Sequence, residues 1–372
     1  MRVHSRRVVT PAGTIDATVS VADGRITAVA PGRDGAALDV DDRWVIPGLI
    51  DTHVHGGGGA QCNTADTDEV VAVAAFHAAH GTTSLLATTV SADVDELERS
   101  LRAIGEAGVL GAHLEGPFLN PRRPGAMDPE SFLEPSTGVL GRLLGAGGRV
   151  SMMTIAPELP GALEIIAALG ERGVVASMGH SEASYEQGRT AVRAGARSVT
   201  HLFNAMPALH HRHPGLLGAA LDVDELQCEL ICDGVHVDPV ATRLALRAKG
   251  LGGLRLITDA IAAAGMGDGE YRLGNAPVVV RDGRATLAGD DAIAGSTLTM
   301  DAALANAVQW LGVTVEEAVT LASANPARLL GLGDHKGAIA AGYDADLAVL
   351  DEDLRACSTM MAGRWVEGSR PR

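Results

Sequence analysis

Residues 44–59, WVIPGLIDTHVHGGGG, form an apolar run of strand length that ends in two histidines and four glycines. Seven further apolar runs follow it: TTSLLATT (82–89), VLGAHLEG (109–116), RVSMMTIAP (149–157), VVASMGH (174–180), RSVTHLF (197–203), LQCELICDG (226–234) and LRLITDA (254–260). Helical stretches separate most of them, such as 93–107, 163–172, 184–194 and 239–249. Eight apolar strands alternating with helices are what a (β/α)8 barrel requires. We therefore predict an α/β fold, a TIM-type (β/α)8 barrel over residues 49–335, with a doubly wound open sheet as the alternative.

The two ends of the chain are rich in β-prone residues. VSVADGRITAVA (19–30) contains Asp23-Gly24, a strong signal for a two-residue hairpin. Near the other end, DLAVL (346–350) and MMAGRWVEG (360–368) resemble a strand and a hairpin. We predict one small β-sandwich domain from residues 1–48 and 336–372. An inserted hairpin at about 268–292, turning at Asp282-Gly283, is predicted after the eighth barrel strand.

Composition and charge exclude several classes of protein. The 372 residues carry a formal net charge of −16, which disfavours non-specific attraction to nucleic acid or anionic membranes. No apolar run reaches transmembrane length, and MRVHSRRVVTPAG at the start lacks the core of a secretory signal. The four cysteines form no regular framework, which is typical of reduced thiols. We expect a cytoplasmic protein without nucleic-acid or membrane partners, although a few local cations could still hold an anionic metabolite.

Residues that bind metals follow the predicted strands at their carboxyl ends, where barrel chemistry occurs. They are His53, His55, Glu115, His180, His201 and Asp259. His53 and His55 are two apart on a strand, so both side chains point to the same side. Each residue alone has a simpler explanation, since an aspartate after a buried strand is often only a helix cap. Four imidazoles and two carboxylates at one barrel mouth together predict a site for Zn²⁺, Fe²⁺ or a similar divalent ion.

Several motifs resemble known families. PGLIDTHVHG (47–56), with NPARLLGL (325–332) and KGAIAAGYDADLAVLD (336–351), resembles the amidohydrolase superfamily. More narrowly, the motifs HLEGPF, GHSEAS, THLFNAM, PGLLGAAL, ICDGVHVDP, ITDA and AGSTLTM resemble N-acetylglucosamine-6-phosphate deacetylases, in order and over nearly the whole chain. The resemblance implies a hydrolase of amino-sugar catabolism. Such an enzyme converts N-acetyl-D-glucosamine 6-phosphate to D-glucosamine 6-phosphate and acetate.

The resemblance also implies roles for the residues at the strand ends. Glu115, His180 and His201 match the ligands of the family's main metal. His53 and His55 match a pair that some members use for a second ion, with Glu115 as the bridge. One or two divalent ions per subunit are thus implied, with Zn²⁺ first and Fe²⁺ or another divalent metal as the alternatives. Asp259 matches the catalytic acid and base.

Substrate contacts are implied in the same way, at Ala126, Asn204, Ala205, Arg212, His236, Leu298, Thr299 and Met300. Arg212 and His236 match groups that hold the sugar phosphate, and one of the two comes from a neighbouring subunit in the family, which implies a homodimer. Met127 departs from the pattern, because many members have a histidine there that polarises the acetyl carbonyl and a thioether cannot donate a hydrogen bond. Either a second ion replaces that histidine, or the correspondence shifts within PRRPGAMDP (121–129).

Three other functions remain open. An N-acetylgalactosamine-6-phosphate deacetylase is the nearest, because the two sugars differ at one hydroxyl. Cyclic-amide hydrolases of the dihydroorotase or hydantoinase type usually use a carboxylated lysine on the fourth strand, but RVSMMTIAP contains no lysine. A non-catalytic scaffold is disfavoured, since it has no need for His180, His201 and Asp259 together.

Overall fold

The computed structural model describes residues 1–367 and residue 371. Eight parallel strands form one sheet in chain order: Leu49–Val54, Thr82–Thr89, Gly111–Glu115, Val150–Ile155, Val175–Met178, Ser198–Val199, Gln227–Ile231 and Leu254–Ile257. The sheet nearly closes, because the Asp259 N–H donates to the His53 carbonyl at 2.9 Å and Val54 pairs with Ala260. The predicted barrel is confirmed.

Helices follow most of the barrel strands. Their bounds are Thr67–Ala79, Val94–Ala107, Thr137–Leu144, Ala162–Glu171, Tyr185–Ala194, Gly215–Asp222, Pro239–Lys249, Met300–Leu311, Val315–Val319 and Asn325–Leu329, with single turns at Pro129–Ser131 and Leu251–Gly253 and a π-helical turn at Thr320–Ala324. Ser184 and Gln187 form a reciprocal capping box, which fixes one helix start. Asp238 caps another, with Pro239 at its first position. The four predicted helices agree with these bounds to within one residue.

Both ends of the chain build a second sheet. Its eight strands are Arg2–Thr10, Gly13–Ala22, Arg25–Pro31, Leu38–Asp39, Trp44–Pro47, Leu347–Leu350, Ala356–Met361 and Arg364–Trp365. Asp23 and Gly24 have φ of 50° and 75°, as a two-residue hairpin turn requires. The predicted small β domain from both ends of the chain is confirmed. Residues 368–370 and 372 of the predicted segment 336–372 lie outside the described residues.

The run WVIPGLID contributes to both sheets. Trp44–Pro47 pairs with Leu347–Leu350, whereas Leu49–Val54 is the first barrel strand. Gly48 separates them, and a Cβ at this position would lie 2.1 Å from the Thr83 hydroxyl oxygen. Only glycine therefore fits at this junction.

The inserted segment is a three-stranded antiparallel sheet, Gly269–Leu273, Ala276–Arg281 and Arg284–Leu287. The predicted hairpin at Asp282-Gly283 is present, and a further strand precedes it. The sheet buries Leu273 and Val278 against Val90 of the barrel. Gly56–Gly57 also pairs with Ala60–Gln61 as a short antiparallel sheet.

The chain divides into two compact units. One comprises Met1–Asp51, Ala75–Ser84 and Thr299–Arg372, and the other Thr52–Ala74 and Leu85–Leu298. The domain boundaries 1–48, 49–335 and 336–372 stay a prediction. Among the described residues, none of the helices has both the length and the apolar character needed to cross a membrane.

Candidate active site

Glu115 ends the third barrel strand, and its carboxylate lies among histidines from other strands. Its Oε1 is 3.0 Å from Nε2 of His180 and 3.0 Å from Nε2 of His201, and these two nitrogens are 3.1 Å apart. Its Oε2 is 3.3 Å from Nε2 of His55. All four side chains are buried. Two imidazole nitrogens and a carboxylate oxygen that converge in this way fit a divalent transition ion.

A second group of potential ligands adjoins the first. Nε2 of His53 and Nε2 of His55 are 3.1 Å apart, and Oδ1 of Asp259 lies 3.4 Å and 3.2 Å from them. His53 Nε2 is also 3.6 Å from Oε1 of Glu115. The Glu115 carboxylate thus contacts both groups, and its two oxygens could serve two ions.

The outer nitrogens of the imidazoles are held by the protein. Nδ1 of His55 lies 3.1 Å from the Thr88 carbonyl, and Nδ1 of His180 lies 2.7 Å from the Arg123 carbonyl. A carbonyl only accepts, so each Nδ1 carries a hydrogen and the Nε2 lone pair of the neutral ring faces the centre. Nδ1 of His201 has no hydrogen-bond partner among the described residues. In this arrangement the Nε2 atoms could hold a metal ion.

Two residues behind the site, Glu229 and Arg255, were missed by the sequence analysis. Oε2 of Glu229 lies 2.9 Å from Nδ1 of His53 and accepts the backbone N–H of His201 at 3.0 Å. Arg255 donates to Oε1 of Glu229 at 2.7 Å. The available signal was one Glu and one Arg in neighbouring strands that are otherwise apolar, because buried charges must pair.

Electrostatics favour positive charge at this site. Burial alone lowers the pKa of His53, His55 and His201, but the nearby carboxylates outweigh it, and the pKa of His55 rises to about 9. Burial alone raises the pKa of Glu115 and Asp259, but the imidazoles outweigh it and lower both. The carboxylates are therefore ionised, and a divalent cation would satisfy the charge that protons on the imidazoles otherwise balance.

His113 shares the strand of Glu115 but does not join either group. Its Nδ1 lies 3.0 Å from the Thr52 carbonyl, and its Nε2 lies 2.8 Å from the Thr154 hydroxyl. Burial first, and the neighbouring His53 second, lower the pKa of His113 to about 3. His113 is therefore neutral and packs edge-on against the His53 ring at a centroid distance of 4.6 Å.

Three site residues have left-handed backbones at the strand ends. His180, His201 and Asp259 have φ of 47°, 27° and 52°. Such conformations cost non-glycine residues about 1–3 kcal/mol each and persist where the surroundings fix them. Gly125, at φ 57°, passes the His180 ring so closely that a Cβ would lie 3.0 Å from Cε1. The backbone at these positions is thus fixed around the side chains of the candidate site.

A cavity of about 250 Å³ opens onto these groups. Nine of the predicted site residues line it: His55, Glu115, Ala126, His180, His201, Asn204, Ala205, His236 and Asp259. His53 is fully buried beneath it. Nε2 of His236 lies 4.0 Å from Oδ2 of Asp259, while its Nδ1 lies 2.7 Å from Asp233. Among the described lining residues there is no Arg or Lys.

Four predicted substrate contacts lie elsewhere in the chain. Arg212 is exposed, and its backbone N–H donates to Nδ1 of His210. Leu298 is buried and donates its N–H to the Ser296 hydroxyl. Thr299 and Met300 belong to the other compact unit, where Met300 begins a helix.

Met127, the position at which the sequence departs from the resembling family, does line the cavity. It is 8% exposed, and its sulfur accepts the backbone N–H of Ser91 at 3.4 Å. The side chain belongs to an apolar cluster with Val90 and Leu273. The neighbouring Ala126 lines the same cavity, so the cavity has an apolar lining at both positions.

The chain is similar to known proteins over most of its length. The chain matches the amidohydrolase family over residues 44–369. It is 40% identical to an N-acetylglucosamine-6-phosphate deacetylase of Lysinibacillus sphaericus, over 92% of this chain and 91% of the relative. It is 37% identical to an N-acetylgalactosamine-6-phosphate deacetylase of Escherichia coli O157:H7, over 98% of both chains.

A solved structure is similar over the same extent. It is an aspartate-to-alanine variant of the N-acetyl-D-glucosamine-6-phosphate deacetylase from Mycobacterium smegmatis, in complex with N-acetyl-D-glucosamine-6-phosphate. The two chains are 43% identical and superpose with a TM-score of 0.95, covering 98% of this chain and 99% of the other.

Proposed function

We propose that this chain, which belongs to the amidohydrolase family, hydrolyses N-acetyl-D-glucosamine 6-phosphate to D-glucosamine 6-phosphate and acetate. The family is metal-dependent, and the chain contains His, Glu and Asp clusters able to bind a metal. The observation that carries the proposal is the convergence of Glu115, His180, His201 and Asp259 on one cavity, in a chain related along its length to deacetylases of this substrate.

Glu115, His180 and His201 would hold the main ion, and His53 and His55 a second one bridged by Glu115. Nitrogen ligands with one carboxylate favour Zn²⁺, with Fe²⁺ as the alternative. Such an ion acidifies water and polarises the amide carbonyl when it is bound. This division of ligands accounts for both oxygens of Glu115 facing imidazoles.

Asp259 would move the proton. Its lowered pKa keeps it ionised at neutral pH, as a base must be. The water oxygen adds to the carbonyl carbon of the acetyl group, and Asp259 takes the water proton. The C–N bond breaks as Asp259 passes that proton to the amine nitrogen. His236 lies close enough to orient Asp259 or the substrate. Asn204, Ala205 and Ala126 would contact the sugar.

The phosphate of the substrate needs cationic partners. The described residues that line the cavity in one chain include no Arg or Lys. Arg212 is exposed and free to reach a neighbouring molecule. We therefore propose a homodimer in which Arg212 of one subunit and His236 of the other hold the phosphate. Leu298, Thr299 and Met300 remain proposed as further substrate contacts. A cytoplasmic location is proposed from the spacing of the four cysteines, which form no regular framework in the sequence.

A subunit-mixing experiment tests the shared site. Arg212→Ala and Asp259→Asn variants should each be nearly inactive. A mixed dimer contains one complete site of two, so pure mixed dimers should regain up to about a half of the wild-type rate. A random mixture of the two variants should regain up to about a quarter. A monomer in solution, or no regain in proven mixed dimers, would contradict the proposal.

Acetate release tests the substrate. We expect release from N-acetylglucosamine 6-phosphate to exceed release from the unphosphorylated sugar by at least about a hundredfold in kcat/KM, since a site that binds a group rejects analogues lacking it. N-acetylgalactosamine 6-phosphate is the second candidate substrate, because one relative is named as a deacetylase of this epimer. Faster release from that epimer would reassign the substrate. No release from either sugar by metal-loaded protein would exclude both.

A further inference from the structure

The catalytic cavity shares one wall with a second cavity of about 540 Å³. The residues that line both cavities are Val90, Ala126, Met127 and Leu273. Val90, Met127 and Leu273 are 5%, 8% and 7% exposed. Val90 follows the second barrel strand, Met127 lies in the loop after the third, and Leu273 belongs to the inserted sheet. These side chains therefore border both cavities.

The wall is held in place from several sides. Asn63 accepts the Val90 N–H at 2.8 Å and donates to the Val90 carbonyl at 3.3 Å. The Met127 sulfur accepts the Ser91 N–H at 3.4 Å. Gly274 comes so close to Val90 that a Cβ there would lie 2.6 Å from a Val90 methyl carbon. The wall is therefore a fixed boundary of the catalytic cavity.

The chemistry of the substrate says which of its groups faces this wall. Sugar hydroxyls and a phosphate need polar partners, which the cavity lining offers at His236 and Asn204. The acetyl methyl is the one apolar end of the proposed substrate. It is bonded to the carbon that must lie beside Asp259, and the apolar side chains of Met127 and Leu273 line the same cavity.

We propose that Val90, Met127 and Leu273 restrict the site to the acetyl group, and that the second cavity admits a longer acyl chain when this wall is thinned. The inference rests on the proposed deacetylase function. Asp93, Glu96, Asp128 and Glu130 are among the residues that line the second cavity, so it disfavours an acyl chain that carries a negative charge. The reaction is the same amide hydrolysis, in which water supplies the oxygen of the released carboxylate and the amine keeps the proton.

The test compares N-butyryl- with N-acetylglucosamine 6-phosphate in wild-type protein and in Leu273→Ala. We expect the ratio of kcat/KM values, butyryl over acetyl, to rise roughly tenfold or more in the variant, since each methylene in such a pocket is worth about 10–200-fold. Leu119→Ala is the matched control, because Leu119 belongs to the same apolar cluster but lines neither cavity. An equal rise in this control would overturn the proposal.

Two further variants keep the test decisive. Met127→Ala thins the wall from another segment and should raise the same ratio. Adding Ala276→Leu to Leu273→Ala fills the second cavity and should cancel the gain. An unchanged ratio in both wall variants, a gain that survives the filling, or an equal gain with an N-succinyl substrate would each overturn the inference. Absence of N-acetyl hydrolysis in the wild-type protein would instead contradict the proposed function.

Discussion

Arg255 and Glu229 occupy paired positions on the last two barrel strands, with Nη2 2.7 Å from Oε1 and both side chains fully buried. The second oxygen of Glu229 lies 2.9 Å from Nδ1 of His53. The Arg255 guanidinium also donates to the Ser198 hydroxyl, the Thr52 hydroxyl and the Gln227 carbonyl. A buried charge pair, fixed from four strands, therefore orients a candidate metal ligand.

Removing the charge of Glu229 should be strongly destabilising. In Glu229→Gln the Arg255 charge stays buried without its counterion, which costs about 3–5 kcal/mol of unfolding free energy. Denaturant unfolding of the metal-free protein measures this cost. Glu225→Gln is the control, because Glu225 is exposed and its change should stay within about 0.5 kcal/mol. Equal stabilities of the two variants would show that the pair is not needed.

Gly125 should tolerate no side chain. A Cβ would lie 3.0 Å from the His180 ring and the backbone has φ 57°, so Gly125→Ala should displace that ring and weaken metal binding by roughly 10–100-fold, as changes behind a ligand do. Metal titration by calorimetry measures this affinity. Gly141→Ala, on an exposed helix position with open space around it, should leave the affinity unchanged and raise stability by about 0.5–1 kcal/mol. Unchanged metal affinity in Gly125→Ala would contradict the geometry.

His4 should make stability depend on pH. Burial alone lowers its pKa, but hydrogen bonds with Asp39 and Asp16, at 2.9 Å and 3.0 Å, outweigh it and raise the pKa above 6.5. A raised folded-state pKa means that this stabilisation is fully present below about pH 6.5 and is lost as pH rises through the folded value. The difference in melting temperature between wild-type protein and His4→Gln should therefore be larger at pH 6 than at pH 9. A constant or inverted difference would contradict it.

Much of the fold could be predicted from the sequence, because its signals are local. Apolar runs identify the eight barrel strands, and the caps Ser184 and Asp238 fix helix starts. Asp23-Gly24 and Asp282-Gly283 identify two hairpins by their need for positive φ. The first strand of the inserted sheet was missed, because Gly269–Leu273 has a weak apolar pattern of its own.

The site could be predicted only in part. His55, Glu115, His180, His201 and Asp259 were predicted because they lie at strand ends, whereas the other predicted residues around the cavity were implied only by the family resemblance. The groups that hold these site residues from behind depend on the register between strands, as for Glu229 and Arg255, or on a backbone atom, as for the Arg123 carbonyl at His180. Single-chain patterns do not contain that information. Whether Arg212 reaches a site likewise depends on a second subunit and stays a prediction.

The role of Asp259 is tested by acetate release from N-acetylglucosamine 6-phosphate, measured for the wild-type protein and for Asp259→Asn at equal metal content. We expect release by the wild-type protein and a loss of roughly 10²–10⁴-fold in kcat in the variant, because the variant lacks the general acid and base. The metal content should be retained, since Glu115, His180 and His201 are intact. Equal rates in the two proteins would show that Asp259 does not transfer the proton in this cavity.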